Sequence, residues 1–352
     1  MITKQKHVTP SRPEAKSRDL ITGVQVLVGL TFLAALAEAL VLLRLRIDPW
    51  RLAALMESVA LVVGAFVGLT HTAFIRQLRS WATASPVLAG GLPFLLLIPY
   101  LVLALGTGTF SWVAFGKLIA YIAVPTILLL PDRLQHHEAL GWRDIAAMLA
   151  LAVPVSAGWL NGIWIWPQDI YVFRPLFCVL VGGYAFIVLR NLEGVGFRIV
   201  WRKSDISDAF LNLVAFTLLA IPLGIGLKFI HPHATAGLGQ VHGLGPAGNF
   251  FFLFAGLYLT VALPEELLFR GILQNLLERT IRKGPRGLYG LLIASVVFGA
   301  AHLHHPPVPN WRYATLATLA GIFYGNVYRT RRRLCASALT HALVDTIWHF
   351  WF

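Results

Sequence analysis

Runs of about 20 apolar residues recur from one end of this chain to the other. A helix of that length crosses the hydrocarbon core of a bilayer, about 30 Å thick. Inside lipid, each backbone N–H and C=O needs a partner within the structure, which a helix supplies by itself. The pattern therefore predicts an all-α fold, a polytopic transmembrane helical bundle of about eleven spans. They fall near 21–43, 52–75, 87–107, 110–131, 145–165 and 170–189, then near 208–230, 250–277, 287–304, 312–328 and 335–351. Composition agrees: 57% of the 352 residues are hydrophobic and 13% charged, where a soluble domain has about a quarter charged.

A formal net charge of +13 would point to nucleic acid in a soluble protein. Here the charges lie mainly between apolar runs, and no basic stretch interleaves aromatic residues in a recognisable module, so no nucleic-acid partner is expected. The charges orient the chain instead. With the N-terminus cytoplasmic, twenty-one of the 29 basic residues fall in cytoplasmic segments and four in outside loops, a strong positive-inside bias. The C-terminus is then outside. The reading is an integral membrane protein with the lipid bilayer as its environment, in a setting like a bacterial inner membrane. Ala35-Leu36-Ala37 mimics a signal-peptidase site, but the apolar run continues past it, so an uncleaved first helix is expected. Cys178 and Cys335 have no CxxC partner and read as small buried hydrophobes.

A boundary is expected in the loop 190–207. It separates an N-terminal region, 1–207, of about six helices from a C-terminal domain, 208–352. The first region scatters Glu38, Glu57, His71, Lys117 and Arg174 among its spans without forming a recognisable set. The second concentrates its ionisable residues in three patterns: Glu265-Glu266-Leu267-Leu268-Phe269-Arg270, then Phe298-x-x-x-His302, then His341-x-x-x-Asp345. Ionisable groups in hydrocarbon are costly, so such a group marks a functional site. Residues four apart share a helix face. Glu266 can thus pair with Arg270, and His341 lies on one face with Asp345, a stripe that His349 continues. Glu265 is rotated about 100° from Glu266 and aims elsewhere. Pro264 removes a helical hydrogen bond just before the pair and allows a kink. His302, His304 and His305 follow one another closely, and spacing alone does not choose among them. Helical rise puts Glu265 and His341 roughly 10 Å from the cytoplasmic face and His302 roughly 20 Å from it, so convergence needs tilt, a broken helix at Pro264 or a ninth span that starts deeper.

The ordered set EExxxR, FxxxH and HxxxN/D resembles the signature of the CPBP family, the CAAX proteases and bacteriocin-processing enzymes. That family includes the type II CAAX prenyl endopeptidases, which are glutamate-dependent intramembrane proteases. The resemblance covers about 250–350. It implies an intramembrane endopeptidase acting on a membrane-anchored peptide or protein substrate. By the same resemblance Glu265 is the general base that takes a proton from water, and His302 helps to bind that water. His341 and Asp345 stabilise the oxyanion, and Glu266 with Arg270 orients the site. Asp345 stands where the prenyl proteases commonly have Asn. An aspartate donates only when protonated, or else it orients His341. No cofactor is expected on this reading. Zinc is the alternative, with Glu265, His302, His341 and Asp345 as ligands, though no HExxH is present. Two other readings stay open: a non-catalytic binding or immunity protein of the same fold, and a transporter, against which the missing inverted repeats count.

Overall fold

The computed structural model describes residues 48–134, 138–198, 201–231, 245–281 and 287–352. The first expected span, 21–43, and Glu38 lie outside them. The described chain forms eleven helices and no strand. In order they are α1 (Pro49–Thr70), α2 (Thr72–Ala84), α3 (Pro86–Thr107), α4 (Trp112–Leu134), α5 (Trp142–Ser156) and α6 (Phe173–Leu189). Then come α7 (Lys203–Gly226), α8 (Pro246–Thr280), α9 (Leu288–Ala300), α10 (Trp311–Arg331) and α11 (Leu334–Trp351). Five of them, α1, α3, α4, α7 and α8, are long and apolar enough to cross a bilayer alone.

Two expected spans are redrawn. The span 52–75 stops at Thr70, where His71 turns extended, and a separate helix α2 begins. This helix carries Arg76, Gln77, Arg79 and Ser80, a polar face that suits the membrane interface better than its core. The span 145–165 is helical only to Ser156 and then breaks into turns. Pro154 lies near the helix end, and Gly158 and Gly162 adopt positive φ, a backbone that glycine takes without steric cost. The hairpin between α3 and α4 is as read from Gly106-Thr107-Gly108. Gly108 caps α3 at φ 74°, and the Ser111 side chain accepts from Ala114 N–H to start α4. Glu57 lies in the middle of α1 and His71 just past its end, so they do not pair. Arg174 pairs with Asp169 and donates to Asn161 at the outer end of α6.

Charged side chains gather at one end of the bundle and tie its helices together. Arg190 meets Asp144 at 2.8 Å, Arg143 meets Asp132 at 3.0 Å, and Arg333 meets Asp205 at 2.8 Å. Arg332 pairs with Glu278, and Arg331 with Asp208. This is the end that the basic-residue asymmetry assigns to the cytoplasm.

The expected boundary at 190–207 begins with a packed strap. Leu192, Val195 and Phe197 are buried, and Phe197 packs edge-on against Phe66 of α1, ring centroids 5.3 Å apart. Asn275 and Arg279 of α8 donate to the Glu193 carbonyl, at 2.7 and 2.8 Å. Tyr328 donates to the Gly194 carbonyl at 2.6 Å, and the Leu334 N–H to that of Gly196 at 3.0 Å. The strap thereby joins α1, α8, α10 and α11. One continuous apolar cluster includes Leu55 and Phe66 of α1, Leu180 of α6, Leu267 of α8 and Ala338 of α11.

Candidate active site

α8 is one helix of 35 residues, wound in an uneven way around the glutamate pair. Tyr258–Ala262 and Leu267–Gln274 are π-type turns, with an ordinary α turn at Leu263–Glu266 between them. Pro264 has no N–H to give, and its ring crowds the carbonyl four residues back. A wider turn just before it relieves that crowding: Leu263 N–H reaches the Tyr258 carbonyl, five residues back. The helix therefore continues through Pro264 where a break was one expectation.

Glu266 occupies the centre of a buried polar cluster. Its Oε1 lies 2.8 Å from Arg270 Nη1 and 2.9 Å from His341 Nδ1. Ser337 Oγ contacts Glu266 Oε2 as a donor, and it lies 2.8 Å from the Tyr324 carbonyl. Glu266, Arg270, His341 and Ser337 are all 3% exposed or less, so a charge pair here is held by fixed partners and not by water. The Arg270 guanidinium sits over the Phe298 ring at 4.2 Å and over the Tyr324 ring at 5.3 Å. A planar cation between aromatic faces replaces lost hydration with cation–π attraction. His341 in turn stacks on Tyr324, centroids 4.5 Å apart and planes 19° apart.

Glu265 projects from the same helix in a different direction, as the 100° rotation requires. Its Oε2 lies 3.8 Å from His341 Nε2, beyond hydrogen-bonding reach. That oxygen is buried and accepts no hydrogen bond from the protein, although the side chain as a whole is 34% exposed. Asp345 Oδ2 lies 3.3 Å from His341 Nε2, with the side chain 27% exposed. His341 thus has a carboxylate against each ring nitrogen: Glu266 on Nδ1 and Asp345 on Nε2.

His302 stands two residues past the end of α9. Its Nδ1 lies 2.8 Å from the Phe298 carbonyl. A carbonyl only accepts, so Nδ1 carries the hydrogen, and Nε2 of the neutral ring is left as an acceptor. The ring packs on Phe298 at 4.8 Å and on Tyr313 at 4.7 Å. Phe298 is also 5.8 Å from His341, so one phenylalanine separates the two histidines. His304 and His305 are exposed. Depth does not keep the motifs apart. Glu265 is thirteen residues from Glu278, Asp345 is twelve from Arg333, and His302 is twelve from Gly290, which packs on Glu278. At about 1.5 Å per residue, all three stand about 18–20 Å above the charged end. His341 and Arg270 lie a turn or two lower.

Three contributors are absent from the sequence patterns: Ser337, Tyr324 and Tyr313. Ser337 precedes His341 by four residues, so the i, i+4 rule had the means to add it to the His341 face. The two tyrosines face the site across α10, which no local pattern reveals. His349 is exposed and adds nothing to the cluster. Among the described residues, no group of three or more His, Cys, Asp or Glu side chains is arranged to hold a metal ion. Of the residues named for zinc, Glu265 Oε2 and Asp345 Oδ2 lie 3.8 and 3.3 Å from His341 Nε2, while Glu266 takes Nδ1.

No curated protein and no solved structure matches the chain. Residues 247–347 match the family model described as Type II CAAX prenyl endopeptidase Rce1-like. All six residues of the three patterns fall inside that stretch, and the match makes this chain a membrane protease with an Rce1-like domain.

Proposed function

We propose that the protein hydrolyses a peptide bond of a membrane-associated polypeptide with a water activated between Glu265 and His302. The observation that carries this is the buried Glu265 Oε2, an acceptor with no protein donor, beside the His341–Glu266–Arg270 cluster. His302 Nε2 offers a second acceptor, so a water bound by both would point an oxygen lone pair away from them. Glu265 takes one proton as that oxygen attacks the scissile carbonyl, and it returns the proton to the departing amine. His341, with a carboxylate on each side, is read as a donor on both nitrogens, and its Nε2–H is the group nearest to a developing oxyanion. Asp345 then serves to orient His341, the second of the two roles open to an aspartate at this place. Glu266 and Arg270 hold His341 from below.

No step needs a metal on this reading, and chelators are expected to leave cleavage unchanged. The Rce1-like name carries prenylated CAAX substrates, but the features here speak for a membrane-anchored peptide in general. The setting we propose is a bacterial-type inner membrane, on the strength of the positive-inside asymmetry. The test is a comparison of new peptide termini in membranes holding wild type, Glu265→Gln or His302→Ala. Loss of a general base lowers the rate by about 10²–10⁴-fold, so termini present with wild type are expected to vanish with Glu265→Gln. Identical termini in all three would leave a non-catalytic binding protein as the reading.

A further inference from the structure

A groove between α7, α10 and α11 takes no part in the site described above. α7 lines it with Leu213, Phe216 and Ala220, three and four residues apart and so on one face. Leu316 of α10, with Val344 and Trp348 of α11, supplies the other walls. Of the lining side chains, Thr217 and Trp348 alone carry a polar atom. The space left unfilled by protein is about 410 Å³, within the range of a small-molecule site. Apolar walls hold water poorly, and the medium around membrane helices is hydrocarbon. Six of the eleven lining residues lie at or before Ile230, outside the stretch 247–347 that matches the family model. The groove is therefore a feature of this chain beyond the matched domain.

A turn of definite construction borders the groove. Just past α7, Lys228 takes φ 54° and reverses the chain. The Phe229 and Ile230 N–H groups then donate back to the Gly224 carbonyl at 2.9 and 3.2 Å. A Cβ on Gly224 would lie 2.2 Å from Ile230 Cδ1, so glycine is what lets Ile230 fold onto α7 and line the groove. The turn leaves the Lys228 side chain exposed. Arg312, in the first turn of α10, donates to the Lys228 carbonyl at 3.4 Å and sets a second exposed cation beside it. Among the described residues neither pairs with a carboxylate, and 231–249 contains no Asp or Glu. Two uncompensated cations at the end of a membrane-crossing helix complement a lipid phosphate.

We infer that the groove binds an anionic phospholipid, with one acyl chain between α7, α10 and α11 and its phosphate on Lys228 and Arg312. Trp348 extends the effect of binding. It lines the groove and packs on Phe229 at 5.1 Å; Phe229 stacks on Tyr313 at 5.5 Å, and Tyr313 packs on His302 at 4.7 Å. A chain in the groove thus braces the ring stack that holds His302. An effect on cleavage rests on the protease reading, whereas the binding rests on the cavity and the charges alone.

The test uses the full chain, stripped of lipid in a neutral detergent and titrated with phosphatidylglycerol or with phosphatidylcholine of the same acyl chains. Melting temperature and native mass spectrometry are the readouts. Phosphatidylglycerol is expected to leave one retained lipid per chain and to raise the melting temperature more than phosphatidylcholine does. Lys228→Gln with Arg312→Gln should abolish that difference, and Ala220→Phe, which fills the groove, should lose the retained lipid. If Ala220→Phe fails to fold, phosphatidylglycerol with a photoreactive acyl chain decides the point: crosslinks to the lining residues of α7 and α11 support the inference, and crosslinks only elsewhere overturn it. Equal responses to the two lipids, or a preference that survives the double variant, also overturn it. So does a dimer formed in place of a lipid adduct, or a shift with glycerol phosphate alone as large as that with the lipid. Glu265-dependent cleavage should rise with phosphatidylglycerol. If no new terminus depends on Glu265, the protease reading fails while the lipid titration still decides the binding.

Discussion

At the scale of single residues, the cluster around Glu266 has little slack. Removing one partner of a buried ion pair costs about 3–5 kcal/mol, because the other charge is left uncompensated. Arg270→Ala is therefore expected to unfold or nearly unfold the protein, seen as a large drop in melting temperature in detergent. Arg270→Lys should not rescue it fully, since an ammonium lacks the planar guanidinium that sits over Phe298 and reaches Glu266. Ser337→Ala removes one donor from Glu266 and keeps the packing. Its expected cost is about 1–3 kcal/mol, with the protein still folded, and cleavage should fall because His341 loses its fixed carboxylate. Full activity in Ser337→Ala would show that Glu266 needs no such restraint. The Glu266–Arg270 and His341–Asp345 pairs were legible in the sequence because i, i+4 spacing is a local rule. The His341–Glu266 bond was not, since it joins residues 75 apart in sequence. Nor was the fate of His304 and His305, which depends on where the chain turns after α9.

At the scale of helices, close approach is set by glycine. A Cβ on Gly299 would lie 1.9 Å from Thr318 Oγ1 and 2.5 Å from the Ala314 carbonyl. Gly299→Ala must push α9 off α10, three residues before His302. Overpacking of this kind costs about 1–3 kcal/mol, and activity should drop with it. Gly116→Ala, which meets nothing, is the control and should leave both melting temperature and cleavage unchanged. Sequence reading placed most helices within a few residues. It overran at Thr70 and Ser156 because hydropathy continues through both, while a polar face and positive-φ glycines end the spans. Pro264 shows the same limit: the residue announces an irregular helix, but whether it breaks or widens depends on neighbours far along the chain.

At the scale of the whole molecule, the strap and the shared core bear on whether the two halves are separable. Gly196 lies at φ 69° with Arg332 O 2.0 Å from where a Cβ would stand. Val195 and Phe197 beside it are buried in the cluster that runs from α1 to α11. A fragment of 203–352 would leave Leu267, Leu276, Leu334 and Ala338 without their partners from the first six helices. It is expected to elute as aggregate on size exclusion, and co-expression with 1–202 should restore a monodisperse peak. A fragment that stays monodisperse and cleaves on its own would show two independent domains. None of this was visible in the sequence, where the loop 190–207 reads as a boundary and nothing local shows what Leu192, Val195 and Phe197 pack against.

α9 has a further consequence. Thirteen residues rise about 20 Å, some 10 Å short of an ordinary hydrocarbon core. A helix this short, with a polar turn at its end, asks the surrounding lipid to compress, at a cost of a fraction of a kcal/mol per Å of mismatch. The protein would then act as a gauge of bilayer thickness. Reconstituted in lipids of increasing acyl-chain length, it should lose turnover steadily while its fold, followed by circular dichroism, stays intact. Thin membranes, or thinned patches within thick ones, are where such a molecule would do its cutting.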